Sequence, residues 1–459
     1  MINFIIVRKK VKKGFALKVA KFSRIGFILA ATGSAVGLGN IWKFPYITGE
    51  HGGGAFVLIY LLTVLLIGVT IFIGEMLVGY LGQNDAVSSF EKLSPPDKKG
   101  WKYSGFSFLT AFFILTFYPI VIAWIIYYIF QSFSLPDTMA LSESNFIVFL
   151  QNDIVTQISF FTIVMLMIAY TIARGVKSGI EKLNLYMIPL LLFILIGMFL
   201  YTLSLDGFAK AFHFMFDFNF DKLQSESIIV AVGHAFFTLS IGMATILTYS
   251  SSLGKNTNLF KTSLTIAFLD TFIAIIAGLV IFAFLFEYGQ EPSKGAGLVF
   301  IILPKVFHEI GSLGSFLSLI FFFALLLASL TSAISILEPV VQYMISRFKY
   351  SRIKSVIVAT SLAYLIGIFA LLSNTKDFSQ SLTVGSKNLF DWFDFISSSI
   401  MLPLGGLIVA LFIGYIIPKD RLEANLKGHM GDTIFAIWLF SIRYIAPLAV
   451  TAVMINELI

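Results

Sequence analysis

The chain alternates long apolar runs with short polar gaps. Apolar stretches able to cross roughly 30 Å of hydrocarbon lie at about 24–46, 55–82, 106–134, 155–173, 179–203, 228–252, 259–287, 314–346, 353–373, 391–417 and 433–457. These predict eleven membrane helices, called spans 1 to 11 below. The stretch 295–312, "GAGLVFIILPKVFHEIGS", is apolar but short and broken by proline, so it reads as a re-entrant or capping hairpin rather than another span. The polar gaps reach only about twenty residues, too short for a separately folded soluble unit.

Two spans lose their helical pattern where hydrogen bonds are hardest to replace. Span 1 contains "GSAVGLGN" at 33–40, and span 6 contains "FTLSIGMAT" at 237–245. Glycine inside a helix costs about 1 kcal/mol relative to alanine. A lone glycine in a membrane helix is explained by close helix packing. Two clusters, each with hydroxyl or amide side chains and five spans apart, are not. Unwound backbone at membrane depth is tolerated where it lines a cavity. Paired interrupted spans in corresponding places of two halves point to an inverted-repeat transporter with its site at the midplane. Freed carbonyls can hold a cation, and freed amides at a half-helix terminus can hold a carboxylate.

Composition agrees and adds a topology. Hydrophobic residues make up 58% and charged residues 12% of the 459, against about 25% charged in soluble domains. Mean hydropathy is +0.91. There is no cysteine, hence no disulfide and no thiolate chemistry. The first apolar run follows a long basic arm without an A-x-A-like site, so no cleavable signal peptide is expected. The net charge of +7 is a topology signal rather than a nucleic-acid footprint. The arm to Arg24 and the loops after spans 2, 4, 6, 8 and 10 hold twenty-four Lys and Arg. The opposite loops hold seven, and Arg443 lies inside span 11. The positive-inside rule then puts the amino terminus in the cytoplasm and, after eleven spans, the carboxyl terminus outside, in the plasma (inner) membrane of the cell.

The segments "RIGFILAATGSAVGLGNIWKFPY", "HGGGAF", "FYPIVIAW", "GIEKLNLYMIP", "FFTLSIGMAT", "ASLTSAISILEP" and "FDWFDF" with "LPLGG" resemble the neurotransmitter:sodium symporter family, in its bacterial amino-acid branch. The resemblance spans nearly the whole chain. It implies an all-α membrane protein of eleven helices, with two inverted five-helix repeats (24–203 and 228–417), a basic arm (1–23) and an eleventh helix (433–459). It implies alternating access and two sodium sites. One would use carbonyls of Gly33, Val36 and Ala328 with the hydroxyls of Thr331 and Ser332. The other would use the Ala35 carbonyl, Asn40, Thr238 and Asp270 of span 7. Without the resemblance, Thr331 and Ser332 would be read as hydroxyls bonding back to their own helix.

The resemblance also implies an amino-acid substrate between the broken helices. Its carboxylate would meet the amides of Leu38 and Gly39, the Tyr118 hydroxyl and a sodium ion. Its ammonium would meet carbonyls of Ala35, Phe237 and Thr238, aided by Ser240. Ser34, Ile114, Phe237, Met243, Ser329, Ser332 and Ile336 would shape the rest. For the apolar members among these, plain helix packing is the alternative. Monoamine carriers of the family place an acid at the position of Gly37. Glycine there leaves room for a substrate carboxylate, so a zwitterionic, apolar amino acid is expected.

Asp270 stands where chloride-dependent relatives carry Asn, and Ala274 where they carry a chloride-binding Ser, so chloride independence is expected. Tyr60 and His234 complete the chloride-site equivalents, and His234 would give a route to pH coupling. Lys43 and Asp394 occupy the outer gate positions, with Phe237 as an aromatic lid. At the inner gate Lys18 aligns with the family's Arg, Lys21 or Phe22 with its Trp, and Ser346 with its Asp. The acid is missing there, and Arg347 follows. No H-E-x-x-H, G-x-S-x-G or Walker pattern supports an enzyme. A non-transporting sensor on the same scaffold, or a sodium-dependent carrier of another small zwitterion, remains the alternative. The partners expected are the amino acid, sodium and lipid, with no nucleic acid; sequence leaves the oligomeric state open.

Overall fold

A computed structural model describes residues 21–223, 226–254, 256–292 and 295–458. The basic arm up to residue 20, with Lys18, lies outside them. Among the described residues nine helices are long and apolar enough to cross a membrane: Gly54–Gly82, Pro96–Gln131, Ile154–Ala173, Val176–Thr202, Leu259–Glu287, Gly311–Phe348, Arg352–Leu372, Leu389–Ile416 and Lys419–Asn456. A bent pair, Arg24–Ala35 with Gly39–Glu50, meets at 48° and makes a tenth. The stretch expected as span 6 folds as two shorter helices, Ser227–Thr238 and Thr245–Ser250.

The gaps are more ordered than their polarity suggests. Met139–Asn152 and Gly207–Phe216 are helices between spans 3 and 4 and between spans 5 and 6. The expected hairpin at 295–312 is instead one short helical stretch, Leu298–Glu309, whose apolar side is buried. Ser142 donates to its Ile301 carbonyl at 2.6 Å and ties the two caps together. The all-α expectation has one exception, a two-residue antiparallel pair joining Thr383–Val384 to Lys387–Asn388 just before span 10.

Spans 1, 2, 3, 6, 7 and 8 supply the buried interior, while spans 4, 5, 9 and 11 expose a large share of their apolar side chains. Mean hydropathy does not separate the two groups: buried spans 3 and 8 have 2.3 and 2.4, exposed spans 5 and 9 have 2.4 and 2.3. Apolar residues all round a helix are tolerated both against neighbours and against lipid, so periodicity alone could not rank them. One buried ion pair braces spans 4, 8 and 9. Glu338, 0% exposed, receives both terminal nitrogens of Arg352 (3.1 and 2.5 Å), and the Arg352 Nε donates to the Ile172 carbonyl at 2.6 Å. Such a pair is costly to desolvate, and breaking it by removing one partner leaves an uncompensated charge.

Candidate functional site

The first break occupies Val36–Leu38. The Arg24–Ala35 helix ends with Val36 in extended geometry (ψ 112°), and helix resumes at Gly39. At Gly37 a Cβ would stand 2.6 Å from Ser332 Oγ and 2.8 Å from the Tyr118 hydroxyl, so only glycine lets the chain pass there. The second break, 239–244, has Ser240 (φ 55°), Gly242 (φ 86°) and Ala244 (φ 61°) in left-handed geometry. Ser and Ala pay roughly 1–2 kcal/mol each for this conformation. Glu75 of span 2, 1% exposed, holds the strained turn by accepting the Gly242 N–H at 2.7 Å. The two breaks touch directly, since the Ser240 hydroxyl donates to the Ser34 carbonyl at 2.8 Å.

Oxygen atoms converge where span 8 passes the first break. Ser332 Oγ lies 3.2 Å from the Gly33 and Ser34 carbonyls, 3.0 Å from that of Val36 and 3.3 Å from that of Ala328. One hydroxyl proton can serve one of these four acceptors. The remaining lone pairs converge on the same spot, an environment suited to a hard cation and to no soft metal. Thr331 is turned otherwise. Its hydroxyl bonds to Leu327 and Ala328 carbonyls of its own helix at 3.1 and 2.9 Å. Of the two neighbouring hydroxyls, Ser332 reaches across to the break and Thr331 makes the local bond.

A second oxygen cluster surrounds Asp270, which is fully buried. The Asn40 Nδ2 donates to its carboxylate at 2.8 Å and to its backbone carbonyl at 3.0 Å, and the Thr238 hydroxyl, 3.1 and 3.0 Å from the two carboxylate oxygens, shares its one proton with them. The Asn40 side-chain oxygen accepts the Gly37 N–H at 3.0 Å, which ties this cluster to the break. Beside it lie the expected chloride-site equivalents. The Tyr60 and His234 rings stand 5.3 Å apart, with Phe44 against both, and Tyr60 lies next to Thr238, Thr271 and Asp270. Ala274 is one helical turn beyond Asp270 and offers no donor. Neither ring nitrogen of His234 finds a partner among the described residues.

Between the clusters lies a narrow, nearly closed cavity. Ser34, Ala35, Gly37, Leu38, Gly39, Ile114, Tyr118, Phe237, Ser240, Met243, Ser332 and Ile336 line it, all expected from sequence. Two expected members stay outside the lining. Thr238 is turned to Asp270, and Ser329 bonds the Leu325 carbonyl of its own helix at 2.7 Å. The Leu38 N–H points to the Tyr118 hydroxyl at 3.3 Å, so amide and phenol are aimed together. Leu402 of span 10 also lines the cavity and was missed; nothing distinguishes it from other leucines in an apolar span. Glu75 was missed too, although an acid inside the run "IFIGEMLVGY" marks itself as an intramembrane ionisable residue.

A wider vestibule adjoins the cavity. Lys43, Asp391, Asp394, Tyr46, Trp42 and Trp124 face it, and Leu38, Tyr118 and Phe237 line both spaces. Phe237 is thus a partition, with Lys43 Nζ 4.7 Å from its ring centre. Asp394 accepts from Ser398 at 2.9 Å. At the opposite end, where span 8 has Ser346 in place of an acid, Ser346 donates to the Asp85 carboxylate at 2.7 Å, and Arg347 pairs with Glu91 at 3.2 Å. Both acids belong to the segment after span 2. Phe22, buried, packs edge-on against Tyr249, whereas Lys21 is exposed.

Known proteins resemble this chain along its length. The model of the sodium:neurotransmitter symporter family matches residues 20–148 and 140–459. The uncharacterized sodium-dependent transporter YhdH of Bacillus subtilis is 35% identical over 95% of this chain and 96% of its own length. An uncharacterized sodium-dependent transporter of Haemophilus influenzae is 32% identical over 95% and 97%. The crystal structure of MhsT in complex with L-phenylalanine superposes with a TM-score of 0.87 at 39% identity, covering 96% of this chain and all of that one. Broken helices, oxygen clusters and a fold shared along the full length lead to one assignment: the chain belongs to the sodium:neurotransmitter symporter family, whose members are membrane-spanning secondary transporters and not enzymes.

Proposed function

We propose that this protein carries a neutral, apolar amino acid across the plasma membrane together with sodium, by alternating access and without chloride. The observation that carries the reading is the convergence of Ser332 Oγ and the Gly33, Ser34, Val36 and Ala328 carbonyls at the break of span 1, against the wall of a cavity ringed by apolar side chains. One sodium ion would be held there, with Thr331 alongside. A second would sit at Asp270, Asn40, Thr238 and the Ala35 carbonyl. The substrate carboxylate would replace the Tyr118 hydroxyl as partner of the Leu38 amide and use the space that Gly37 leaves. The ammonium would take the Ala35, Phe237 and Thr238 carbonyls and the Ser240 hydroxyl, and Ile114, Met243, Ile336 and Leu402 would receive the side chain. The phenylalanine bound to MhsT supports an apolar substrate.

In this reading the two helices flanking 239–244 form one crossing. Eleven spans then arise as two inverted five-helix repeats and a final helix, with the amino terminus in the cytoplasm and the carboxyl terminus outside. Spans 1, 2, 6 and 7 move against the others, with Lys43, Asp394 and Phe237 closing the vestibule side. The Asp270 charge beside sodium makes a separate chloride redundant, and Ala274 cannot hold one. Inward movement of one charge releases about 2.3 kcal/mol per 100 mV. Two sodium ions would supply roughly 4.6 kcal/mol at that voltage, enough for more than about a thousandfold accumulation of a neutral solute. Uptake into proteoliposomes, run across the twenty amino acids with and without a sodium gradient, tests this. Sodium-stimulated uptake of apolar amino acids is expected; no sodium stimulation, or preference for a monoamine, overturns it.

A further inference from the structure

A further pocket, sharing no lining residue with the cavity or the vestibule, lies where the segment joining spans 10 and 11 folds back on span 11. It is an open groove lined by Lys419, Glu423, Lys427, Asp432 and Arg443 together with Phe435, Leu439, Phe440 and Tyr444. We propose that this groove binds the headgroup of an anionic phospholipid, with the phosphodiester on Arg443 between Lys419 and Lys427.

Charge pairing within the groove is uneven. Lys419 has Glu423 at 3.5 Å and Lys427 has Asp432 at 3.3 Å. These are exposed pairs, worth about 0–1 kcal/mol, and they open readily. Arg443 is different. Its Nε donates to the Gly414 carbonyl at 2.7 Å, which fixes the guanidinium, but no carboxylate stands within 4.0 Å of it among the described residues. A guanidinium inside a membrane span is costly unless something answers its charge. Its two terminal nitrogens form a fork that matches two oxygens of a phosphate. Three cations against two acids leave the groove a formal charge of +1, complementary to a lipid carrying −1.

The apolar part fits acyl chains rather than a free ion. Phe435 and Leu439 are buried beneath the charges, whereas Phe440 and Tyr444 are 57% and 50% exposed on the outer wall of span 11, where hydrocarbon runs. The loop that carries Lys419 and Lys427 belongs to the lysine- and arginine-rich set, the side on which positive-inside topology places anionic lipid. Basic pockets between membrane helices on that side are the usual hosts of such headgroups.

The test titrates the purified full-length protein in neutral detergent with dioleoyl phosphatidylglycerol, dioleoyl phosphatidylcholine or inorganic phosphate. Binding is read by thermal unfolding and by the mass of the intact complex. Phosphatidylglycerol is expected to raise the melting temperature and remain attached, and the other two are expected to do neither. Arg443→Gln should raise the apparent Kd for phosphatidylglycerol about tenfold, equivalent to about 1.4 kcal/mol. Lys354→Gln, a cation on the same membrane face but outside the groove, should leave it unchanged. If Arg443→Gln fails to fold for want of the Gly414 bond, the double variant Lys419→Gln with Lys427→Gln carries the same expectation. Equal binding of phosphatidylcholine, an equal effect of inorganic phosphate, or unchanged phosphatidylglycerol affinity in the folded variants overturns the proposal.

Discussion

Gly37 gives the sharpest test of how tightly the break and the pocket are joined. A methyl group added there would stand 2.6 Å from Ser332 Oγ, 2.8 Å from the Tyr118 hydroxyl and 3.3 Å from Ser332 Cβ. Ordinary contact begins near 3.4 Å, so the two hydroxyls must retreat by about 0.6–0.8 Å. Ser332 has no slack for this. Its oxygen sits 3.0 Å from the Val36 carbonyl and 3.2 Å from those of Gly33 and Ser34, and a shift of that size carries it out of bonding range of at least one. Overpacking of this kind costs about 1–3 kcal/mol, which corresponds to about a 5- to 150-fold loss of affinity. Gly37→Ala should therefore weaken amino-acid binding by that factor and raise the sodium concentration needed for half-saturation, because one displaced atom serves both. Equilibrium binding of radiolabelled substrate to purified protein, titrated with sodium, measures the two together. Gly197→Ala, at a span 5 glycine whose added methyl meets nothing within 4 Å, is the control. Wild-type affinity for substrate and sodium in Gly37→Ala refutes the coupling. A loss of substrate affinity with sodium untouched refutes the role of Ser332 in it.

Three other expectations follow from the geometry. Ser346→Ala should remove a bond worth about 0.5–1.5 kcal/mol and shift the protein toward the state open at that end; because the chain contains no cysteine, labelling of a single introduced cysteine there reads the shift without background, and unchanged labelling counts against it. Replacing chloride by gluconate should leave wild-type uptake unaltered, while Asp270→Asn combined with Ala274→Ser should acquire chloride stimulation; strict chloride dependence of the wild type contradicts the assignment of Asp270. Leu402→Ala should enlarge the cavity and move preference toward bulkier apolar amino acids in competition assays, and an unchanged preference order removes Leu402 from the specificity pocket.

The broken segments were legible because the breaks announce themselves, whereas Ile114, Tyr118, Ser332 and Ile336 were named only through the family resemblance. Glycines and hydroxyls inside an apolar run have few explanations, and the pocket lining from Ser34 to Gly39 and from Phe237 to Met243 lies on the broken segments themselves. Side-chain choice between equivalent neighbours was not legible. Thr331 and Ser332 are chemically alike, and only the helix's rotation decides which crosses to span 1 and which bonds to its own turn. Asp85 and Glu91 were out of reach for a different reason: they lie more than 250 positions from Ser346 and Arg347, on a segment that reads as an ordinary polar loop. The short helices Met139–Asn152 and Gly207–Phe216 escaped notice because neither is apolar or long enough to span, and they gain their order from the bundle end they cover.

The Phe237 ring sets up a kinetic asymmetry. On the vestibule side the Phe237 ring, braced by a cation–π contact worth about 0.5–1 kcal/mol, stands with Leu38 and Tyr118 between the cavity and the larger space. Ring reorientation of that kind needs no helix to move. At the other end, Phe22, Tyr249 and the Asp85–Ser346 bond tie whole helices together, and separating them is a collective motion on the μs–ms scale. A bound solute would then trade places with its own kind from the vestibule many times for each passage through the far end. Exchange outrunning net flux would be the signature of a carrier whose two doors are a ring and a bundle.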